Sequence, residues 1–185
     1  MLESKEQGEK PQWIINKKLF VFRYCTRQEE GNSMKDVDSW KSHLRLAMAR
    51  CRLVSSKLLH ASRNCRLAIA DLLSSQRTES ARIKTRLLIR DDYLIEAVEE
   101  LEGYLDDLLH GRGVIEVLVK TKKFTTETSK DDCGIIQAIQ SVIYAEPRVE
   151  VPELARVVKD LAGMFGKEFV ARAVHNADQL IDPRF

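Results

Sequence analysis

The residues best suited to chemistry are eight carboxylates crowded into positions 89–109, IRDDYLIEAVEELEGYLDDLL, with no basic residue after Arg90. Asp92 and Glu96 fall four residues apart on one helical face, where two carboxylates can share a divalent cation. A helical enzyme built on such a site needs a second acidic helix facing the first. The other double acids, Glu29-Glu30 and Asp131-Asp132, fall in polar stretches that read as a linker and a loop. A di-iron bundle needs Glu-x-x-His pairs, and the chain has none. His43, His60, His110 and His175 form no metal-ligand spacing. Neither a glycine-rich phosphate loop nor a G-x-S-x-G elbow occurs. Acidic helix faces are usually solvated, so this pattern argues against an enzyme. No catalytic residue, cofactor or metal is expected.

The thiols point the same way. Cys25, Cys51, Cys65 and Cys133 contain no C-x-x-C pair. Helical rise separates Cys51 from Cys65 by about 21 Å, beyond the reach of a disulfide. Reduced, buried cysteines in a cytosolic protein are the simplest reading. No apolar run reaches the length of a membrane span, and the charged N-terminus argues against a secretory signal.

The acids gain meaning from what precedes them. Lys41–Arg90 holds twelve Lys/Arg against two acids, Asp71 and Glu79; Asp91–Glu116 holds nine acids against one base, Arg112. The net charge of +2 conceals this segregation.

The elements that carry the two charge blocks follow from periodicity. Among 185 residues rich in charge and poor in glycine, proline and aromatics, an all-α fold is expected. Leu44, Ala47, Cys51, Val54, Leu58, Ala61, Cys65, Ala68 and Leu72 keep a strict 3,4 spacing. They predict a helix over 40–73, capped by Asp38 or Ser39 and about 51 Å long. SSQRTES, 74–80, is the turn. A second helix over 78–109 carries Ile83, Leu87, Leu94, Ala97, Leu101, Tyr104 and Leu108, with Arg90 interrupting the row. Leu88, Ile95, Val98, Leu105 and Leu109 widen its apolar face, so it should touch more than one neighbour. Gly103 within it costs about 1 kcal/mol against alanine; a close helix crossing would account for it.

HGRG, 110–113, reads as a break. VIEVLV continues as helix rather than strand, and 120–132 as a polar loop. GIIQAIQSVIYA, 134–145, forms a short helix stopped by Pro147. Pro152 opens PELARVVKDLAGMF, Gly166 kinks or ends it, and KEFVARAV adds two turns. Three regions result: an extension over 1–38, a helical domain over 39–175 and a tail over 176–185. Within the extension, WIINKKLFVFRYC, 13–25, mixes bulky apolar residues with Lys17, Lys18 and Arg23. It reads as a strand, a docking segment or a surface-seeking peptide, and more simply as an extension without separate activity.

A tight turn near residue 76 pairs residue i of the first helix with about 151 minus i of the second. Arg52 then faces the Glu99 neighbourhood, and Arg45 faces Asp106 and Asp107. Such pairs add little stability each but favour the antiparallel register. At 100° per residue, Lys41, Arg45, Arg52, Arg63 and Arg66 form one stripe about 60° wide, centred about 130° from the seam. An outward stripe nearly free of acids attracts acidic lipid headgroups or an acidic protein segment. Nucleic acid is not expected, because no aromatic residues interleave the bases and no binding module is recognisable.

ARIKTRLLIRDDYLIEAVEELEGYLDDLL, 81–109, resembles the signature of the increased-sodium-tolerance (Ist1-like) family, relatives of the ESCRT-III subunits. The resemblance rests on Ala81, Arg82, Ile83, Ile89, Arg90, Asp91, Asp92, Tyr93, Leu94, Glu96, Ala97, Glu99, Leu101, Glu102, Tyr104, Leu108 and Leu109. IQSVIYAEPRVEVPELARVVKDLAGMFGKEF is similar to the family's Ala-x-Pro-Arg helix end and its Lys-Glu-Phe/Tyr helix end. Arg86 stands where a glutamate is usual, Leu105 replaces a common cysteine, and the loop over 116–132 is longer than usual. Residues 1–38 have no counterpart. Family members normally continue beyond Phe185 with a helix that packs back on the hairpin, then with leucine-rich motifs that bind the MIT domain of the ESCRT AAA ATPase.

The resemblance implies an ESCRT-III-like core: a long antiparallel hairpin with shorter helices packed on it. It implies a non-enzymatic assembly factor in multivesicular-body and endosomal protein sorting, peripheral on endosomal membranes from the cytoplasm. Partners would be charged-multivesicular-body-protein-type ESCRT-III subunits, the ATPase indirectly, and further copies of the chain. Lys41, Arg45, Arg52, Arg63 and Arg66 are expected to contact membrane or an acidic partner. Arg90, Asp91, Asp92, Tyr93, Glu96, Glu99, Glu102 and Tyr104 are expected at hairpin and subunit contacts. The competing expectation is a helical scaffold that binds one acidic or helical partner and does not polymerise.

Overall fold

A computed structural model describes residues 37–121 and 130–181. Every element described is a helix: α1 (Val37–Ser74), α2 (Thr78–His110), α3 (Arg112–Thr121), α4 (Lys130–Ala145), α5 (Leu154–Phe165) and α6 (Lys167–Val174). The expected all-α hairpin with shorter helices is the fold observed. α1 starts three residues before the predicted boundary, so Asp38 and Ser39 lie inside it rather than at its cap. α4 likewise starts at Lys130. The extension over 1–36 and most of the polar loop, 122–129, lie outside the described residues.

α1 and α2 are 38 and 33 residues long, about 57 and 50 Å, and lie antiparallel. The turn between them is a Schellman closure. The Arg77 amide donates to the Leu72 carbonyl at 2.8 Å and the Gln76 amide to Leu73 at 3.0 Å, with Gln76 left-handed at φ 58.

The contiguous core cluster occupies the base of the hairpin, and along the arm the buried apolar side chains among the described residues are Ala81, Leu88 and Ile95 of α2. Trp40, Leu44, Ala47, Met48 and Cys51 of α1 and Val98, Leu101, Leu105 and Leu108 of α2 are buried at the base. Ile139 and Ile143 of α4, Leu154 and Leu161 of α5, and Phe169 and Val174 of α6 complete it. This explains the wide apolar face of α2, which meets α1 on one side and α4 on the other. At the α2–α3 joint, a Cβ on Gly111 would stand 2.3 Å from Ile135 Cδ1 and 2.8 Å from the Asp107 carbonyl oxygen, so only glycine fits that approach. Gly166 divides α5 from α6 with φ +85.

Beyond the base the hairpin is a two-helix arm. Here the heptad seam is less buried than its periodicity predicts. Val54, Leu58, Cys65, Ala68 and Leu72 are half-buried, Ala61 is exposed, and Ser62 is 4% exposed in its place. A straight helix drifts about 20° per heptad away from a strict seven-residue repeat, so the facing stripe moves from Ala61 to Ser62. The stretch read as a tail docks in part: Ile181 is buried, and Gln140 Nε2 donates to Asp178 Oδ2 at 2.9 Å.

The expected helix crossing at Gly103 is not there. Its Cβ position meets nothing within 4 Å. Gly103→Ala should therefore stabilise the chain by about 1 kcal/mol, raising the thermal midpoint by about 2–4 °C. Calorimetry checks this.

Candidate functional site

The acidic stretch of α2 lies along the basic stretch of α1, and a regular polar ladder joins them. Arg52 Nε meets Glu102 Oε1 at 2.6 Å. Ser55 Oγ donates to Glu99 Oε1 at 3.2 Å, and Ser62 Oγ to Asp92 Oδ1 at 2.9 Å. Arg66 Nη2 reaches Asp92 Oδ2 at 2.9 Å. Three of these pairs, 52 with 102, 55 with 99 and 62 with 92, sum to 154 rather than the expected 151. The shift has a steric cause. Side chains on each helix lean back toward its own N-terminus, so partners across an antiparallel pair each sit one to two residues C-terminal of their contact point. Arg52 accordingly meets Glu102, one turn beyond the Glu99 neighbourhood.

The ladder answers the question posed by the carboxylates. Both oxygens of Asp92 are engaged by Ser62 and Arg66, so Asp92 is a hairpin contact rather than half of a cation site with Glu96. Among the described residues no group of three His, Cys, Asp or Glu side chains is arranged to hold a metal. No helix among them is long and apolar enough to cross a membrane.

Asp92, Glu99 and Glu102 thus stand at the seam. Arg90 is exposed and, among the described residues, pairs with its neighbour Asp91 at 3.4 Å. Tyr93 is 65% exposed, and Glu96 is exposed. Tyr104 packs half-buried against the core, its hydroxyl donating to Glu100 at 3.3 Å. The five bases of the α1 stripe divide as well. Arg52 and Arg66 reach back to α2, although both remain largely exposed. Lys41, Arg45 and Arg63 form no ion pair with a described residue, and Arg45 and Arg63 are exposed. Arg45 forms no ion pair with Asp106 or Asp107 among the described residues, and Asp106 Oδ2 lies 3.4 Å from His110 Nδ1.

Next to the charged stripe runs a row that the seam analysis does not predict. Leu46 (46% exposed), Leu53 (63%) and Leu67 (67%) recur at multiples of seven residues on the side of α1 opposite α2. The outer surface of α1 is therefore cationic and apolar together. Its sequence signal is a second leucine row out of phase with the seam.

Two cross-links at the base also escape sequence reasoning. His43 Nδ1 lies 2.6 Å from Asp160 Oδ2 of α5. Arg50 Nη2 lies 2.7 Å from Glu153 Oε1, just ahead of α5. Burial pushes the Glu153 carboxyl up, but hydrogen bonds from Arg50 and from its own backbone amide, with the nearby Arg50 and Arg156 charges, hold it below the usual range. The signal missing from the sequence is distance, since these partners are more than a hundred residues apart. Arg148 stacks 3.5 Å from the centre of the Tyr144 ring, and burial lowers its pKa. Cys51 and Cys65 are free thiols. Burial, with Glu102 and Glu153 nearby, pushes the Cys51 thiol up to about 12, so it carries no thiolate at neutral pH.

A hairpin with one basic and one acidic helix, anchored at its base by four short helices, defines an ESCRT-III-like helical fold. Comparison with known proteins gives the family. The family described as "Ist1: Regulator of Vps4 activity in the MVB pathway" matches residues 41–185. The chain belongs to this Ist1 family. It is 29% identical over 144 residues to the "IST1-like protein" of Dictyostelium discoideum, covering 78% of this chain and 36% of that one. It is 33% identical over 131 residues to "Vacuolar protein sorting-associated protein IST1" of Saccharomyces cerevisiae, covering 70% and 43%. The chain thus spans about two-fifths of the length of these curated relatives. Its fold matches the crystal structure of the S. cerevisiae Ist1 N-terminal domain in complex with a Did2 MIM motif. The TM-score is 0.68 at 28% identity, over 79% of this chain and 77% of that chain.

The geometry makes the ladder and the base cross-link separately testable. Asp92→Ala leaves the buried Ser62 hydroxyl without its acceptor and should cost about 1–3 kcal/mol in urea unfolding. Glu153 titrates in the folded chain below the ordinary carboxylate value of 4.5. Its contribution is full above that value and is lost as pH falls through the folded one. Glu153→Gln should be less stable than the parent at pH 7, and the gap should close in acid-unfolding titrations below that window.

Proposed function

We propose that this chain is a non-enzymatic regulator of ESCRT-III-type assembly in multivesicular-body sorting. In this reading it binds ESCRT-III subunits of the charged-multivesicular-body-protein type, assembles with further copies of itself, and influences the AAA ATPase through those partners. It works on the cytoplasmic face of endosomal membranes. Family membership supports the pathway, and the S. cerevisiae neighbour supports the partner class, being an Ist1 domain in complex with a Did2 MIM motif.

The observation that carries the mechanism is the division of the α1 bases. Arg45 and Arg63 are exposed and unpaired among the described residues, on a helix with no acid between Lys41 and Ala70. With Lys41 they face outward and attract an anionic surface, while Arg52 and Arg66 combine that attraction with fixing the hairpin. On α2, Arg90, Tyr93 and Glu96 are exposed and Asp91 is half-exposed, which leaves these four available as subunit contacts. A second reading, a scaffold for one acidic amphipathic helix, is favoured by the exposed Leu46, Leu53 and Leu67 row beside the α1 arginines.

Each Lys or Arg near an anionic bilayer adds about 1 kcal/mol of attraction. The double variant Arg45→Glu/Arg63→Glu should therefore lose at least about 30-fold in affinity for phosphatidylserine vesicles in cosedimentation. Unchanged thermal stability would accompany the loss, and parent binding should weaken with salt. Equal binding by variant and parent would refute the membrane role of these residues.

A further inference from the structure

The exposed cations of α1 border a row of leucines that the described residues leave bare. Leu46, Leu53 and Leu67 are 46%, 63% and 67% exposed. They recur at multiples of seven residues, so they drift only about 20° per heptad and share one side of a straight helix. The row runs for about 32 Å. Cations flank it on both sides. At 100° per residue, Arg45 and Arg63 fall on one flank and Lys57 on the other. All three are exposed, and none forms an ion pair with a described residue. The first acid on this side, Asp71, stands one turn beyond Leu67.

We infer that this row inserts into the bilayer. α1 lies flat on an anionic membrane, with Leu46, Leu53 and Leu67 below the headgroups and Arg45, Lys57 and Arg63 among the lipid phosphates. The inference rests on the membrane reading of α1 proposed above and adds an apolar contact to an electrostatic one.

Two features favour a bilayer over a partner helix. The first is a polar break in the row. Seven residues after Leu53 stands His60, whose Nδ1 accepts from Asn64 Nδ2 at 3.2 Å, and Arg63 precedes Leu67 by one turn. A helix packed knobs-into-holes along the row would bury these polar groups in its seam. At a bilayer their polar ends reach sideways to headgroup level while the Arg63 stem lies along the apolar layer. The second feature is the double flank of cations, which is the pattern of a helix lying in the plane of the interface. The chain's own apolar stretch over 13–25 does not suit the row, because Lys17, Lys18 and Arg23 carry the same sign as its flanks.

Cosedimentation with phosphatidylserine vesicles separates insertion from charge. Leu53→Gln/Leu67→Gln keeps the net charge and places good helix formers at two exposed sites, so the fold is retained. Insertion predicts that this variant loses at least about tenfold in affinity. It also predicts that the parent keeps a bound fraction at high salt, where charge is screened, and that the variant does not. In the full chain carrying Leu53→Trp, the fluorescence added to that of Trp13 and Trp40 should shift to the blue on vesicles. Lipids brominated on the acyl chain should quench it. Equal binding by parent and Gln variant, or an added signal that brominated chains leave untouched, overturns insertion while the electrostatic reading of Arg45 and Arg63 stands. No binding by the parent overturns both. A Gln variant that keeps the vesicles but loses an ESCRT-III-type subunit would assign the row to a partner helix, and the inference fails.

Discussion

The arm of the hairpin has only two helices, and everything proposed for its surface depends on that constraint. Two helices in water bury one narrow stripe, so the arm cannot be held in register by a hydrophobic core. Beside that stripe, which includes the buried Ala81, Leu88 and Ile95 of α2, runs a ladder of serines and carboxylates. Ser55 and Ser62 lie seven residues apart on α1, and Asp92 and Glu99 seven apart on α2. Exposed ion pairs contribute little, but a buried hydroxyl left without its acceptor is costly. The ladder thus selects one register by penalising the others. At the base, His43–Asp160 and Arg50–Glu153 tie α1 to the segment carrying α5.

Register in turn decides which cations remain available. Arg52 and Arg66 come within reach of Glu102 and Asp92, while Arg45 and Arg63 find no acid among the described residues. Charge segregation that looks wasteful in the sequence, a basic helix and an acidic one, has two products. One is internal complementarity between the helices. The other is a surplus of positive charge on the outer face of α1, set beside exposed leucines. A helix surface of that kind suits an anionic and partly apolar surface, which is what an assembly on membranes offers.

Much of this architecture is legible from periodicity. The 3,4 spacing from Leu44 to Leu72 marks α1, the wide face of α2 announces its second neighbour, and Gly166 marks the α5–α6 joint. Errors arise where geometry finer than spacing decides. The register is missed by three residues because side chains lean toward their helix N-terminus, which a Cα-level pairing ignores. Ala61 falls in the predicted seam because heptad drift accumulates over a long straight helix. Gly103 has no packing role, so composition invites an explanation that the structure does not supply. The site is half legible: charge blocks identify the two helices, but not which arginines the acids neutralise. The Arg50–Glu153 and His43–Asp160 links are invisible because no local pattern connects residues that distant.

The central claim is that the bases of α1 have two separable tasks, fixing the hairpin and contacting an external anionic surface. Electron microscopy of the chain with an ESCRT-III-type subunit and acidic vesicles tests it most directly. Three forms should be compared: the parent, Arg45→Glu/Arg63→Glu, and the exchange Arg52→Glu with Glu102→Arg, which preserves the ladder pair. The account predicts coats or filaments with the parent and with the exchanged pair, and bare vesicles with the double reversal at Arg45 and Arg63. Equal coating by all three forms, or none by the parent, would contradict it.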